Sequence, residues 1–288
     1  MPADLHCHTK LSDSSMGIDD LIVLAQKKGI TTIAITDRDC QAGTVRGKII
    51  GERRGITVIP GVEITAYDAK RGRSVDILGY LCDSPDRLEG LCHRNIVSRK
   101  KASQLITLKI ARKYPITPEL VLKCATGSTA VFEQHIMHAL LECGMTDKIY
   151  GELRNELFSP DSPENVLVKV DFPDPVQVIE AIHEAGGIAV LSHPGANDSF
   201  ELMEELVSKG ILDGVEVWHP DNTDEQQAML IKFAHANGLL TTGGTEFMGM
   251  YSKRPITVGE YSTPDAAVKA LMSYKAKMKK KKAATENK

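Results

Sequence analysis

Short apolar or β-branched runs recur along the chain, and most of them precede helix-like sequence. "ADLHCH" is followed by "GIDDLIVLAQKKG", and "TTIAITD" by the polar, glycine-dotted "CQAGTVRGKIIGERRG". "ITVIPGVEIT" and "SVDILGYL" come next, with only a short turn between them. After a break the rhythm resumes with "VQVIEAIHEAGG", "IAVLSHPG", "SFELMEELVSKGI", "DGVEVWHP", "DEQQAMLIKFAHANG" and "LLTTGGTE". Seven strands with intervening helices predict an α/β fold with a largely parallel sheet. Polar residues fall at the C-terminal ends of at least six of these strands. Barrels gather their sites there, so the pattern predicts a (β/α)7 TIM-like barrel rather than an open sheet with one crevice. No glycine fingerprint or GxxxxGK loop follows the first strand, which removes two common nucleotide-binding arrangements.

The break, residues 88–171, reads as helical throughout. "NIVSRKKASQLITLKIARKY" ends near Pro115, "TPELVLKCA" opens on a threonine cap, and "STAVFEQHIMHALLECG" ends at Gly144. "NVLVKV", near Asn165, is an exit strand or an extended connection. The expectation is an inserted helical cap dividing the barrel into residues 1–87 and 172–274. It either roofs the barrel or acts as a lid that excludes water and touches substrate. Residues 275–288, with seven lysines, are expected to form a disordered tail.

Composition narrows the function classes. The formal charge of −3, from 35 basic and 38 acidic residues, gives no strong nucleic-acid signal. No run of eighteen apolar residues implies a membrane span, and the N-terminus lacks the regions of a signal peptide. The six cysteines (7, 40, 82, 92, 124 and 143) are scattered without a CxxC pair, as in a cytoplasmic protein with reduced thiols.

Candidate chemistry collects at the strand ends. Strand alternation in "DLHCHT" puts His6 and His8 on one face, with Leu5 and Cys7 on the other. Two imidazoles on one face can bind an ion, or simply be paired core histidines. Asp13 follows closely. Asp37, Arg38 and Asp39 stand just past an apolar strand, and Glu63 and Asp76 sit inside otherwise apolar runs. A glutamate is rarely buried without a metal or basic partner. His193 precedes a proline-glycine turn, His219 precedes Pro220, and Glu246 follows the last strand. Nitrogen and oxygen donors without thiolate suit manganese, zinc or iron.

"HCHTKLSD", "ITDR", "PGVEIT", "VDILGY", "LSHPG" and "GGTEFMG" together resemble the PHP (polymerase and histidinol phosphatase) domain family over nearly the whole chain. That resemblance implies a distorted seven-stranded barrel and metal-dependent phosphoesterase activity. It also implies metal ligation by His6, His8, Asp13, Glu63, Asp76, His193 and Glu246, with one or two divalent ions and no organic cofactor. Where the family has a histidine in TDH, a histidine before ILGY and an aspartate and histidine in GSDxH, this chain has Arg38, Asp76, Glu246 and Met248. A guanidinium cannot ligate a metal, so Arg38 is expected to occupy or border the volume of a third ion. There it would pair with Asp13 or offer its donor fork to a phosphoryl oxygen. Arg38, His193 and His219 are the implied catalytic groups, and Arg38, Arg99 and His219 the implied substrate contacts. Asp37 and Asp39 are expected to orient histidines or Arg38. Arg94, Lys100 and Lys101 accompany Arg99 on a helix that faces either the mouth or solvent.

The implied substrate is a small phosphorylated metabolite or nucleotide. The alternatives are hydrolysis of a non-phosphate bond, or a non-catalytic metal- or phosphate-binding protein with a degenerate site.

Overall fold

The structure, a computed structural model, describes residues 2–286. Its strands are β1 (Ala3–Cys7), β2 (Thr32–Ile35), β3 (Thr57–Asp68), β4 (Arg73–Tyr80), β5 (Ile188–Leu191), β6 (Gly214–Trp218) and β7 (Leu240–Gly243). Helices α1 (Ile18–Lys27) and α2 (Thr44–Arg54) separate the first three strands. Helices α3 (Glu89–Ala111), α4 (Pro118–Cys124), α5 (Glu133–Glu142) and α6 (Glu152–Phe158) follow β4. The chain then runs through α7 (Pro175–Glu184), α8 (Pro194–Asn197), α9 (Phe200–Ser208), α10 (Asp224–Asn237) and α11 (Asp265–Glu286).

The strands lie in sequence order in one sheet. It curls until β1 meets the segment after β7, where His8 N donates to Phe247 O at 3.0 Å. The result is a near-closed, distorted TIM-like barrel wrapped by helices. The sheet is less parallel than the sequence predicts, because β4 is antiparallel to both β3 and β5. Strands joined by a tight turn have to run antiparallel. The β3–β4 connection is that short, and Gly72, at φ 69°, supplies its left-handed residue.

Alternation sorts the side chains into layers. Val62, Ile64, Ala66, Val75, Ile77, Ala189, Leu191, Val215 and Val217 face the surrounding helices in one core cluster. The residues between them face inward. Leu5, Ala34, Ile59, Leu78, Tyr80, Ile188, Val190 and Leu240 fill the lower interior, where Tyr80 Oη donates to Leu5 O at 2.7 Å. Above that apolar plug the inward positions become polar, with Glu63, Asp76, Ser192 and Glu216 all buried. Because β4 runs backwards, Asp76 reaches the mouth from the first half of its strand.

Leu5 and Cys7 do not share a face as simple alternation predicts. A register shift between Asp4 and Cys7 breaks the β1 pattern. Leu5 therefore packs inside the barrel and Cys7 against the helices. Bulges re-aim side chains in this way near sites.

Residues 88–171 hold α3 to α6 and, among the described residues, no strand; "NVLVKV" is an extended connection. These helices share a separate core of Ile110, Val121, Ile136, Met137, Leu140, Leu157 and Phe158, which also receives Met248 and Tyr251 from the segment after β7. Of the tail expected to be disordered, residues 275–286 instead continue α11, and residues 287–288 lie outside the described residues. Leu271, Tyr274 and Met278 pack under the barrel, and Lys275 is buried with Nζ on Asp83 Oδ2 at 2.7 Å. Lysine and alanine favour helix, so the segment extends once its first turns are anchored. Among the described residues no helix is long and apolar enough to cross a membrane.

Candidate metal centre

Loops tied to one another by buried carboxylates form the barrel mouth. Asp4 accepts from Thr245 N at 3.0 Å, Thr245 Oγ1 at 2.6 Å and Gly259 N at 2.9 Å, locking the segment that carries Glu246 onto β1. Gly244 makes that approach feasible, since a Cβ there would lie 2.4 Å from His6 N. Asp37 accepts from Thr9 N and Ser12 Oγ at 2.6 Å each, holding the turn between His8 and Asp13. Asp39, His193 and Glu246 all have left-handed φ values, of 54°, 22° and 46°. Such conformations cost non-glycine residues roughly 1–3 kcal/mol each and tend to cluster at sites.

His6, His8, Asp13, Glu63, Asp76, His193 and Glu246 all converge here. Asp76 and Glu246 are each 9% exposed and the other five 3% or less. His6 Nδ1 lies 3.0 Å from Glu216 Oε1, and His8 Nδ1 lies 3.0 Å from Asp13 Oδ1. Each carboxylate favours a proton on the Nδ1 it faces, so Nε2 is the atom that would offer its lone pair to an ion in exchange for a proton. The two Nε2 atoms are 3.2 Å apart, and they lie 3.4 Å and 3.2 Å from Glu63 Oε2. Donors around a tetrahedral ion with bonds of about 2.0–2.1 Å are roughly 3.3 Å apart, so these three atoms have the spacing of one coordination face. Two ring nitrogens and a carboxylate oxygen facing each other in a buried site call for positive charge between them, which protons on the rings or a metal ion would supply.

Glu216 escapes a reading of "DGVEVW" that sees only a strand. It is fully buried, sits inward between Val215 and Val217, and accepts from Ser192 Oγ at 3.1 Å and His193 N at 3.0 Å. The available signal is the one that marks Glu63, an acid inside an apolar run.

Arg38 stands among four carboxylates. Its Nε donates to Asp13 Oδ2 and its Nη2 to Glu246 Oε1, both at 3.0 Å. Nη1 is 2.9 Å from Glu63 Oε2 and 3.1 Å from Asp76 Oδ1. The guanidinium is thus largely committed to the protein, and no two-donor fork is left for a phosphoryl group. His219 Nδ1 accepts from Asp221 N at 3.1 Å, which places the proton of the neutral ring on Nε2, 3.4 Å from Glu246 Oε2. His219 is fully buried behind Glu246 and does not border the cavity.

The protonation balance follows from these contacts. Burial disfavours every charge in the cluster, but Arg38 and His6 outweigh it at Glu63 and hold that carboxyl well below the usual range. Glu216 is likewise held at about 2, where burial is overcome chiefly by His6 and His219. Against their own burial, His8 is raised to about 9 by Asp13 and Glu63, and His193 to about 9 by Glu246 and Glu63. The excess of carboxylate draws positive charge into the mouth.

A cavity of about 390 Å³ opens over this floor, bordered by Arg38, Asp76, His193, Glu246, Arg99 and Lys253 among others. Arg99 lies between the rings of Phe132 and Phe172, 4.8 Å and 5.0 Å from their centroids. Its Nη2 donates to Asp39 Oδ2 at 3.0 Å and Thr65 Oγ1 at 3.1 Å, while its buried Nε has no partner. Asp39 therefore orients Arg99, and Asp37 orients the turn whose Ser12 Oγ lies 3.4 Å from His8 Nδ1. Arg94, Lys100 and Lys101 are exposed, and none of them borders the cavity.

Comparison with known proteins gives consistent matches. The PHP domain family model matches residues 4–167. A phosphoribosyl 1,2-cyclic phosphate 1,2-diphosphodiesterase from Eggerthella lenta is 33% identical, over 88% of this chain and 97% of that protein. A 5'-3' exoribonuclease from Haemophilus influenzae is 27% identical, over 85% of this chain and 89% of that protein. Among solved structures, a Bifidobacterium adolescentis protein described as a metal-dependent phosphoesterase superposes with a TM-score of 0.83 at 29% identity. That match covers 95% of this chain and 97% of that one.

Proposed function

The chain belongs to the PHP domain family, and on that footing we propose that it hydrolyses the phosphoester of a small phosphorylated metabolite or nucleotide. The observation that carries this reading is the triangle of His6 Nε2, His8 Nε2 and Glu63 Oε2 beneath a cavity of small-molecule size. These residues would hold a divalent ion such as manganese, zinc or iron. When bound, such an ion acidifies water and polarises a phosphoryl oxygen.

The chain's own groups supply the rest. Glu216 and Asp13 orient His6 and His8 through their Nδ1 atoms. His193, with Nε2 3.4 Å from Glu63 Oε1, borders the reacting volume. Arg38 balances charge in the floor, and His219 holds its proton toward Glu246, making it a positioning residue. Arg99, clamped between two rings, is the group placed to receive a substrate anion. The helices of residues 88–171 serve as the cap, contributing Arg99 and Phe132 to the cavity wall. Similarity to an enzyme named for a phosphoribosyl cyclic phosphate brings phosphorylated sugars into the substrate range.

The commitment of Arg38 to four carboxylates favours a second reading, a metal- or phosphate-binding protein without turnover. Hydrolysis of a panel of phosphate mono- and diesters by manganese-loaded protein, read as free phosphate for the monoesters and as alcohol and monoester products for the diesters, separates the two. The catalytic reading expects turnover that falls about a hundredfold or more in Glu63→Gln. Bound metal without turnover on any phosphoester would establish the second.

A further inference from the structure

We infer that Arg38 is a protein-borne cation standing where a further divalent ion would otherwise tie the carboxylates together, so that the chain binds a single ion, at His6, His8 and Glu63. This deepens the metal-dependent reading above and rests on it for the identity of that ion as a cofactor.

The geometry of Arg38 is that of a bridging ion made from a side chain. Asp13 comes from the loop after β1, Glu63 from β3, Asp76 from β4 and Glu246 from the segment after β7. All four reach one guanidinium within 3.1 Å. Without a cation, four buried carboxylates from separate elements would repel one another in a medium that screens them poorly. The guanidinium holds its charge at any physiological pH and spreads its donors in a plane, so it can tie several acids at once.

Met248 gives an independent observation. It stands where the resemblance calls for a ligating histidine, and it is buried in the apolar core of the helical region with Ile136 and Tyr251. Its sulfur lies 3.8 Å from Gln134 Nε2. The position is spent on packing, and no donor returns from it to the carboxylates. The other half of the mouth differs. Its buried His193 Nε2 has no hydrogen-bond partner, and the His6–His8–Glu63 face is spaced for an ion. Glu63 joins the halves, with Oε2 2.9 Å from Arg38 Nη1 and 3.2 Å from His8 Nε2. It would bridge an ion and a guanidinium as a shared carboxylate bridges two ions.

The test is manganese content per chain after loading and exhaustive dialysis, read beside the melting temperature with and without chelator. The parent is expected to hold one ion. Arg38→Met is expected to melt at lower temperature in chelator, to regain that loss in millimolar manganese, and to bind two ions. Arg38→Lys, which keeps the charge, is expected to stay at one ion. A parent with two or more ions overturns the inference. So does an Arg38→Met that stays at one ion with an unchanged melting temperature. If Arg38→Met does not fold, the ion counts of the parent and Arg38→Lys decide alone, and two ions in either overturns it. Activity is a separate axis: correct ion counts without phosphoester turnover would reject the phosphoesterase reading and leave this inference standing.

Discussion

His8 in the barrel mouth and His135 in the helical region are both buried, yet their protons are driven in opposite directions. Burial disfavours charge on His8, but Asp13 and Glu63 overcome it and raise the ring to about 9. At His135 burial dominates and lowers the ring to about 4. No carboxylate touches His135. Its Nδ1 accepts from Phe132 N at 3.1 Å, and Phe132 and Tyr251 stand edge-on to the ring. The mouth gathers acids beyond what one guanidinium balances, which is the electrostatics of a cation site. The helical region excludes charge and depends on packing. Stability and ion affinity should therefore respond to different substitutions.

The largest expected effect lies in the helical region. Leu140 is fully buried in the core shared by α3, α4, α5 and α6. Leu140→Ala should cost roughly 2–5 kcal/mol in unfolding free energy, through lost transfer energy and an unfilled cavity. Urea denaturation measures this, and manganese affinity should hardly change. A tenfold loss of ion affinity in the folded variant would show that the two regions do not divide the work.

His135 makes the same comparison through pH. Its folded pKa, about 4, lies below the unfolded value near 6.5, so between these values the unfolded chain binds the proton and the folded chain does not. Its contribution is complete above pH 6.5 and is lost as pH falls toward 4, by up to about 3 kcal/mol. His135→Gln keeps an acceptor without titrating in that window. The difference in stability between parent and variant should therefore shift in the variant's favour on acidification. Parallel pH profiles would mean that His135 does not titrate as its surroundings require.

Glu216→Gln brings the test back to the mouth. Oriented ligands commonly lose about 10- to 100-fold in metal affinity when the group behind them is changed. Glutamine can still accept from Nδ1 of His6 but no longer carries the charge that makes the ring a stronger donor. Competition with a chelator of known affinity gives the number, and unchanged affinity would remove Glu216 from the site.

Glu216 also marks the limit of the sequence. Every metal-ligand candidate lies in a short motif whose residue types announce themselves, such as His6 and His8 in "HCH" or His193 in "LSHPG". The barrel was legible because strand-helix alternation is a local pattern. The reversed β4 was latent in the short turn before it. The partners of Arg38 were harder, because Asp13, Glu63, Asp76 and Glu246 meet only when four distant segments close the mouth. In the sequence Arg99 is one of four basic residues on a helix, and its clamp needs Phe132 from the start of α5 and Phe172 from just before α7. The lysine-rich end misled because charge density describes its solvation, while Leu271 and Tyr274 fix its first turns.

The smallest effect concerns a second buried cation. Lys275, like Arg38, holds a carboxylate in a concealed place, with Nζ bonded to Asp83 Oδ2 and Gly186 O. It has one acid rather than four, and the Asp83 side chain is 31% exposed and also lies 3.1 Å from Lys279 Nζ. Lys275→Met should keep most of the packing of the stem, while water and Lys279 continue to serve Asp83. A loss of about 1 kcal/mol is expected in urea denaturation, the scale of one hydrogen-bonded contact. Manganese content and affinity should match the parent, because nothing in this contact touches the mouth. If Lys275→Met released the ion as Glu216→Gln is expected to weaken it, the barrel would be coupling its two ends. Local charge balance would then no longer explain why His8 and His135 differ.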